Sequence, residues 1–476
     1  MPISDLTAAA PEIFLAFAIC VVLLVDVFLR EEQRHITYVL SMLALVGTAA
    51  LSAYFSVSEQ VIAFSGSYVA DPAGRVLKMF AYVVVGIVFL YSRDYLERTG
   101  LMKGEFFVLG LFGLLGIMIM ISAHSLLTLY LGLEVLALSQ YTMVALNRDS
   151  AVSAESAMKY FVLGAIASGT LLYGISLLYG LTGTLELTTL AERFAAPGGI
   201  SVPVLLALAF IVVGVAFKFG AVPFHMWVPD VYQGAPTAVT LYIGSAPEIA
   251  AFALTWRVLV EALGPLHGSW QDMLIVLCML SLIIGNVVAI AQTNIKRMLA
   301  YSTISHVGFI FMGFIAGTEE GVRAAMFYTI AYVLMAAAAF GMVILLSRRG
   351  FEAERIEDFK GLNARSPWFA FVMLMVMFSL AGVPPFIGFY AKLVVLSSVL
   401  DVGLVWLAGV GVLFAVIGAF YYIRVVWYMY FAEPDDHAPL TAATDMRIVV
   451  SANALGLLAL GIFPGLLLDL CARVLS

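Results

Sequence analysis

The sequence predicts an all-α integral membrane protein of about fourteen transmembrane helices, and three observations carry that prediction. Of 476 residues, 63% are hydrophobic and only 12% charged, roughly half the charge of an average soluble protein. Mean hydropathy is +1.04. The apolar residues fall into runs of roughly 20, the length that crosses a hydrocarbon core of about 30 Å.

In chain order, the first six runs (spans 1–6) cover 9–29, 37–57, 76–95, 105–122, 125–146 and 157–183. The turn between spans 4 and 5 rests on length and on the SAHS tetrapeptide at 122–125. Spans 7–10 cover 202–222, 238–261, 272–292 and 298–316, and spans 11–14 cover 323–347, 367–398, 403–430 and 447–469. The opening MPISDLTAAAPE has no basic run before its first apolar stretch and does not read as a cleaved signal peptide. Cys20, Cys278 and Cys471 are scattered. They predict buried small apolar residues, with no disulfide framework, iron–sulfur cluster or zinc site.

Two runs are not plain helices. Span 12 holds 32 residues, which would be about 48 Å of helix, and Pro384-Pro385 after Gly382 is expected to break it near its middle. Span 7 meets Gly220 and Pro223, followed by Pro229, Gly234 and Pro236. Broken helices in matching places are a mark of inverted-repeat transporters. Glu134 precedes Lys218 by 84 residues and His306 precedes Lys392 by 86. The expected organisation is therefore 1–104 for flanking spans 1–3, 105–262 for a first five-helix repeat (spans 4–8), 263–432 for an inverted second repeat (spans 9–13), and 433–476 for span 14.

Basic residues set the orientation. Loops on one face hold 14 lysines and arginines, including Arg30, Arg34, Lys296, Arg297 and those between Arg348 and Arg365, against five on the other. The positive-inside rule puts the first face in the cytoplasm and both termini on the opposite side. No connecting loop is long enough for an extramembrane domain.

Charged residues inside apolar runs are costly, about 2.5–3.5 kcal/mol each near the bilayer centre, and mark ion or proton pathways. Glu134 lies in LTLYLGLEVLALSQYTMVAL, Lys218 in VVGVAFKFGAVPF, Glu248 in LYIGSAPEIAAFAL, His306 in LAYSTISHVGFIFMGF and Lys392 in GVPPFIGFYAKL. Glu134 and Lys218 read as partners: burial disfavours a charged lysine and a nearby carboxylate favours it, so moving the two apart or together would unload or reload a proton. His306 suits a proton carrier near neutral pH. Glu248 is placed either to bridge Lys218 and His306 or merely to neutralise a lysine. Lys159, one turn into span 6, is either part of this set or a side chain snorkelling to the surface. His225 and Asp230 are expected to fix the loop after span 7. His35 and His437 read as solvated, His124 and His267 as loop or interface residues. No glycine-rich phosphate loop or histidine pair at haem-like positions is present, so electron chemistry is expected elsewhere.

The string FKFGAVPFHMWVPDVYQGAPT resembles the signature of the antiporter-like subunits of respiratory complex I, and VPFHMWVPDVYQGAPT leading into LYIGSAPEIAAFAL is most similar to subunit N of bacterial NADH–quinone oxidoreductase. EVLALSQYTMVAL, ESAMKYFVLGA, IKRMLAYSTISHVGFIFMG and LAGVPPFIGFYAKL fit the same subunit. The resemblance implies a proton-translocating subunit of the inner membrane, driven by NADH-to-quinone electron transfer in partners that hold flavin and iron–sulfur clusters, with no cofactor of its own. Its implied partners are neighbouring antiporter-like and small membrane subunits, the lipid bilayer, protons and internal water, with no nucleic acid. By position it implies Glu134 and Lys218 as the pair of the cytoplasmic half-channel, Lys159 as a modulator, His306 in the central axis, and Lys392 as terminal carrier of the second half-channel. Subunit N usually has lysine where this chain has Glu248, which reverses the local field. Two other readings stay open: a cation/proton antiporter subunit of the related multisubunit group, and a scaffold whose buried charges only fix helix packing.

Overall fold

A computed structural model describes residues 3–196, 201–348, 350–435, 440 and 443–475; His437 and Arg349 lie outside them. Among these residues, thirteen helices have the length and hydropathy to cross a membrane. Spans 1–6 are Ala10–Phe28, His35–Tyr54, Pro72–Thr99, Gly104–Ile121, Leu126–Val144 and Ala151–Thr182. Span 7 is Val202–Phe219 and span 8 runs from Thr237 to Ala262. Spans 9–11 are His267–Ala291, Ile295–Ile315 and Glu319–Leu346; spans 13 and 14 are Val405–Phe431 and Thr444–Ile462. The remaining run is divided, as its prolines require, into Pro367–Ala381 and Ile387–Asp401.

Both broken helices stop in the same way. Gly220 and Gly382 adopt the left-handed conformation (φ +68° and +84°), and the next residue donates back across the last turn, Ala221 to the Ala216 carbonyl and Val383 to that of Phe378. Glycine serves here because a side chain disfavours positive φ. After the first break the chain makes the short helix Trp227–Gly234 before span 8.

Three elements depart from the sequence expectation. Span 8 is interrupted at Gly244–Ser245, then continues as Ala246–Thr255 and a π-helical segment Trp256–Ala262. The stretch after span 2 holds an antiparallel hairpin, Val61–Ala63 with Tyr68–Ala70, and Leu187–Ala195 is a surface helix seated by Leu187, Leu190 and Phe194. Strands of three residues are too short for periodicity to reveal.

Spans 8, 10 and 11 are almost wholly enclosed, whereas only about a third of the residues of spans 1, 6, 13 and 14 are buried. Span 11 is the central post, packed on spans 3, 8, 10 and 14 and on both halves of span 12. Apolar side chains cover the lipid-facing rim, and the polar groups of spans 8 and 10 are therefore shut inside.

Buried ion pairs tie the flanking spans to this core. Lys78, counted with the outer loops by the sequence reading, is instead buried two turns into span 3, paired with Glu12 of span 1 and 3.2 Å from the Tyr68 hydroxyl. Arg257 is fully buried and bonds Asp71 at 2.5 Å, Glu261 at 2.6 Å and the Ile121 carbonyl at 3.1 Å. The guanidinium thus links the start of span 3, the end of span 4 and the π segment. Of the cysteines, Cys278 and Cys471 are buried, but Cys20 is exposed on span 1; periodicity could not separate an outward position from a packed one.

Candidate functional site

Glu134 and Lys218 line one small cavity between spans 5, 6 and 7, together with Tyr141, Tyr160, Ser168 and Trp227. The cavity volume is ≈ 20 Å³, enough for a single water. Glu134 is half-buried and accepts a hydrogen bond from Ser168, whose Oγ is also 3.0 Å from the Tyr130 hydroxyl. Lys218, in the last turn of span 7, donates to Gln140 Oε1 at 3.1 Å, and the Tyr160 hydroxyl donates to the same oxygen at 3.1 Å. The expected Glu134–Lys218 ion pair is therefore not made directly. Their side chains take separate polar partners, Ser168 and Gln140, which the sequence reading did not single out.

The break behind Lys218 is braced by Trp227, which stacks on Tyr160 at 4.5 Å between centroids and donates from Nε1 to the Phe217 carbonyl at 3.1 Å. A Cβ on Gly220 would come within 2.4 Å of Val228, so glycine also permits the close return of the chain.

Glu248 is 5% exposed and stands in the first turn of Ala246–Thr255, just after the Ser245 kink. That end of a helix carries partial positive charge and suits a carboxylate. Its Oε2 has no hydrogen-bond partner among the described residues. Pro247, with Gly244 and Ser245, was the sequence signal for this kink.

The Tyr332 hydroxyl donates to Thr303 Oγ1 at 2.7 Å. The Tyr332 ring lies 4.9 Å from the His306 imidazole. His306, 3% exposed, is held from both sides: Nδ1 is 2.7 Å from the Tyr328 hydroxyl and Nε2 is 3.1 Å from that of Tyr422. Tyr422 is also bonded to Ser302. These tyrosines come from spans 11 and 13, distant in sequence from His306.

Lys392 is buried in the second half of span 12 and donates to the carbonyls of Leu380 (3.1 Å) and Ala381 (2.8 Å), at the end of the first half. A cation there meets the negative end of a helix dipole and its unpaired carbonyls. Its ammonium also lies 5.4 Å from the centre of the Phe309 ring, one turn from His306 on span 10. Gly382 makes the room, since a Cβ there would approach Lys392 Cδ to 2.9 Å.

Lys159 is not brought to Glu134. It is exposed and bonds Asp230 at 2.8 Å and Glu155 at 2.9 Å, while Arg297 bonds the other Asp230 oxygen at 2.8 Å. The side chain thus snorkels to a surface cluster that closes the loop after span 7, the role expected of Asp230. Lys296 reinforces that loop, donating to the Ala235 carbonyl and Glu354, each at 2.9 Å. Burial alone would push the Asp230 carboxyl up, but hydrogen bonds from Lys159 and Arg297, with their charges, hold it below its ordinary value of 3.8. A depressed carboxylate stabilises the fold above the unfolded-state value and loses that contribution as pH falls through the folded-state value. Asp230→Asn is thus expected to lower thermal stability equally at pH 5 and pH 7, with the difference shrinking only below about pH 3.8. Melting curves of both proteins across that range check it; a difference that grew on acidification would contradict the assignment.

Among the described residues, no group of three or more His, Cys, Asp and Glu side chains gathers as a metal site requires.

The profile of the NADH:quinone oxidoreductase/Mrp antiporter transmembrane family matches residues 123–418, from the end of span 4 into span 13. NADH-quinone oxidoreductase subunit N of Thioalkalivibrio sulfidiphilus is 57% identical over 475 residues, covering 100% of this chain and 99% of that one. The subunit N of Thiobacillus denitrificans is 54% identical over 478 residues, with 100% and 99% covered. Among solved structures, a chain of respiratory complex I from Thermus thermophilus with bound aureothin superposes with a TM-score of 0.83 at 30% identity, over 96% of this chain and 98% of that one.

Proposed function

This chain belongs to the NADH:quinone oxidoreductase/Mrp antiporter family, among the subunits N, and on that premise we propose that it carries protons along the row Glu134, Lys218, Glu248, His306 and Lys392. It is a multi-pass, proton-translocating membrane subunit of NADH–quinone oxidoreductase, and other membrane subunits of that complex are its partners. In this reading flavin and iron–sulfur clusters sit in other subunits of the complex, and this chain holds no cofactor of its own. The observation that supports the proposed route is that these five groups stand on adjoining spans 5, 7, 8, 10 and 12 around the enclosed centre. Glu134 and Lys218 line one cavity, Glu248 is buried on span 8 beside span 7, Tyr332 packs on His306, and Lys392 reaches span 10, which carries His306, through Phe309.

In this reading Glu134 and Lys218 form the half-channel that opens to the cytoplasm. The separated state of the pair, with Lys218 on Gln140, is one of two positions the proton cycle needs. Lys159, with Asp230 and Arg297, sets the field at the entrance without carrying the proton. Lys392 serves the half-channel toward the periplasm, where both termini lie. Moving one charge against 150–200 mV costs about 3.5–4.6 kcal/mol, so the driving signal must shift the affinities along the row by a similar amount.

The test is proton translocation by the assembled complex in proteoliposomes. Glu248→Gln keeps the shape and removes the titrating group, and it is expected to cut coupled translocation at least about tenfold. Unchanged flux in that variant, or flux that requires sodium, would remove the proposed route in favour of scaffold or cation-antiport readings.

A further inference from the structure

A cavity apart from the proton route lies where spans 9 and 13 meet the loop before span 12. Its lining is Gln292, Thr293, Arg355, Glu357, Arg424 and Tyr428, with Ile356, and its volume is ≈ 340 Å³. It belongs to the face that carries most of the lysines and arginines.

Two arginines define its chemistry. Arg424 donates Nη1 to the Ile290 carbonyl and Nη2 to that of Gln292, both at 2.7 Å, which caps the end of span 9. Its Nε has no partner among the described residues. The Arg355 backbone N–H donates to Asp358 Oδ2 at 2.8 Å and its side chain makes no hydrogen bond or ion pair within 4 Å among the described residues, although its charge faces the Asp358 carboxylate. One guanidinium therefore has its N–H donors unused among the described residues and the other is fixed with a donor to spare. Glu357 is the one lining carboxylate, and it leans toward Lys360 at 3.9 Å. Guanidinium groups match the oxygens of a phosphate with paired N–H donors.

What distinguishes a lipid phosphate from a free one is the surface beside the cavity. Phe420, Ile423, Trp427 and Phe431 recur along span 13 at helical spacing and are 49–75% exposed. They form an apolar strip with Trp427 in its last turns, at the level of Arg424 and Tyr428. Tryptophan is enriched at the membrane interface, and basic pockets at helix ends on the cytoplasmic side hold anionic headgroups. We propose that this cavity binds the headgroup phosphate of an anionic phospholipid through Arg355 and Arg424, with the acyl chains lying along the strip of span 13.

The experiment uses the whole complex in nanodiscs of phosphatidylcholine doped with phosphatidylglycerol, with bound lipid counted by native mass spectrometry. Arg355→Gln is the primary variant because Arg355 makes no fold-closing contact through its side chain. It should lose one retained phosphatidylglycerol per complex, or weaken its binding at least about tenfold, while Arg355→Lys keeps part of it. Equal retention by wild type and Arg355→Gln would overturn the proposal. So would full displacement of the lipid by millimolar inorganic phosphate, which would assign the cavity to a free anion.

Discussion

Lys218→Ala is expected to reduce proton translocation by the assembled complex at least about a hundredfold, the lower range of a lost acid–base group. The side chain is the only titratable group between Glu134 and Glu248 in the proposed row, and its ammonium is held by Gln140 and not by a carboxylate. Alanine removes the carrier and also leaves both acids without their cation. A scaffold reading predicts a defect for this variant too, because a broken buried charge pair destabilises by about 3–5 kcal/mol. Lys218→Arg separates the two. Arginine keeps the charge and roughly the reach, but it does not release its proton. A structural cation would be served by arginine; a proton carrier would not. Translocation is thus expected to fail in Lys218→Arg while the complex assembles and melts like wild type. Wild-type pumping by that variant would show that Lys218 only neutralises its neighbours.

The contrast between Lys218 and Glu248 shows where sequence reading succeeds. Both broken spans were legible because Gly220 with Pro223, and Gly382 with Pro384-Pro385, interrupt backbone hydrogen bonding, a local property of the chain. The five titratable groups inside the spans were legible because charge in an apolar run is itself a signal. Their partners were not. Gln140 for Lys218, Ser168 for Glu134, and Tyr328, Tyr332 and Tyr422 around His306 reach their sites from other spans or other turns. In helices apolar on most faces, the pattern does not say which face meets which neighbour, and packing decides it. The same limit hid the Glu12–Lys78 pair and the placement of Arg257 between Asp71 and Glu261. The kink at Ser245 had a weak signal in GSAP, outweighed by the length of an otherwise continuous span. Lys159 was ambiguous because a long flexible side chain near a helix end can turn either way; Asp230, contributed by the loop after span 7, settles it.

Gly388→Ala should cause the largest structural loss. A Cβ at residue 388 would stand 1.8 Å from the Ser379 carbonyl oxygen and 2.7 Å from its carbon. That obstacle is backbone, so no side-chain rotation relieves it, and the two halves of span 12 must separate. Separation has a chemical consequence, because Lys392 draws its two carbonyl partners, Leu380 and Ala381, from the first half while riding on the second. Helix propensity alone would make Gly→Ala favourable by about 1 kcal/mol, whereas overpacking against fixed atoms costs typically 1–3 kcal/mol and sometimes more. With contact this close the steric term wins, and a net loss of about 2–3 kcal/mol is expected, together with a large fall in coupled translocation. Gly456→Ala in span 14 is the matched control, since a Cβ there meets nothing within 4 Å. Thermal unfolding and assembly yield of the two variants, measured side by side in the complex, decide the point. A Gly388→Ala protein as stable and active as Gly456→Ala would mean that the halves of span 12 do not close on one another through Gly388 and Ser379. The carbonyl cradle assigned to Lys392 would fall with that contact.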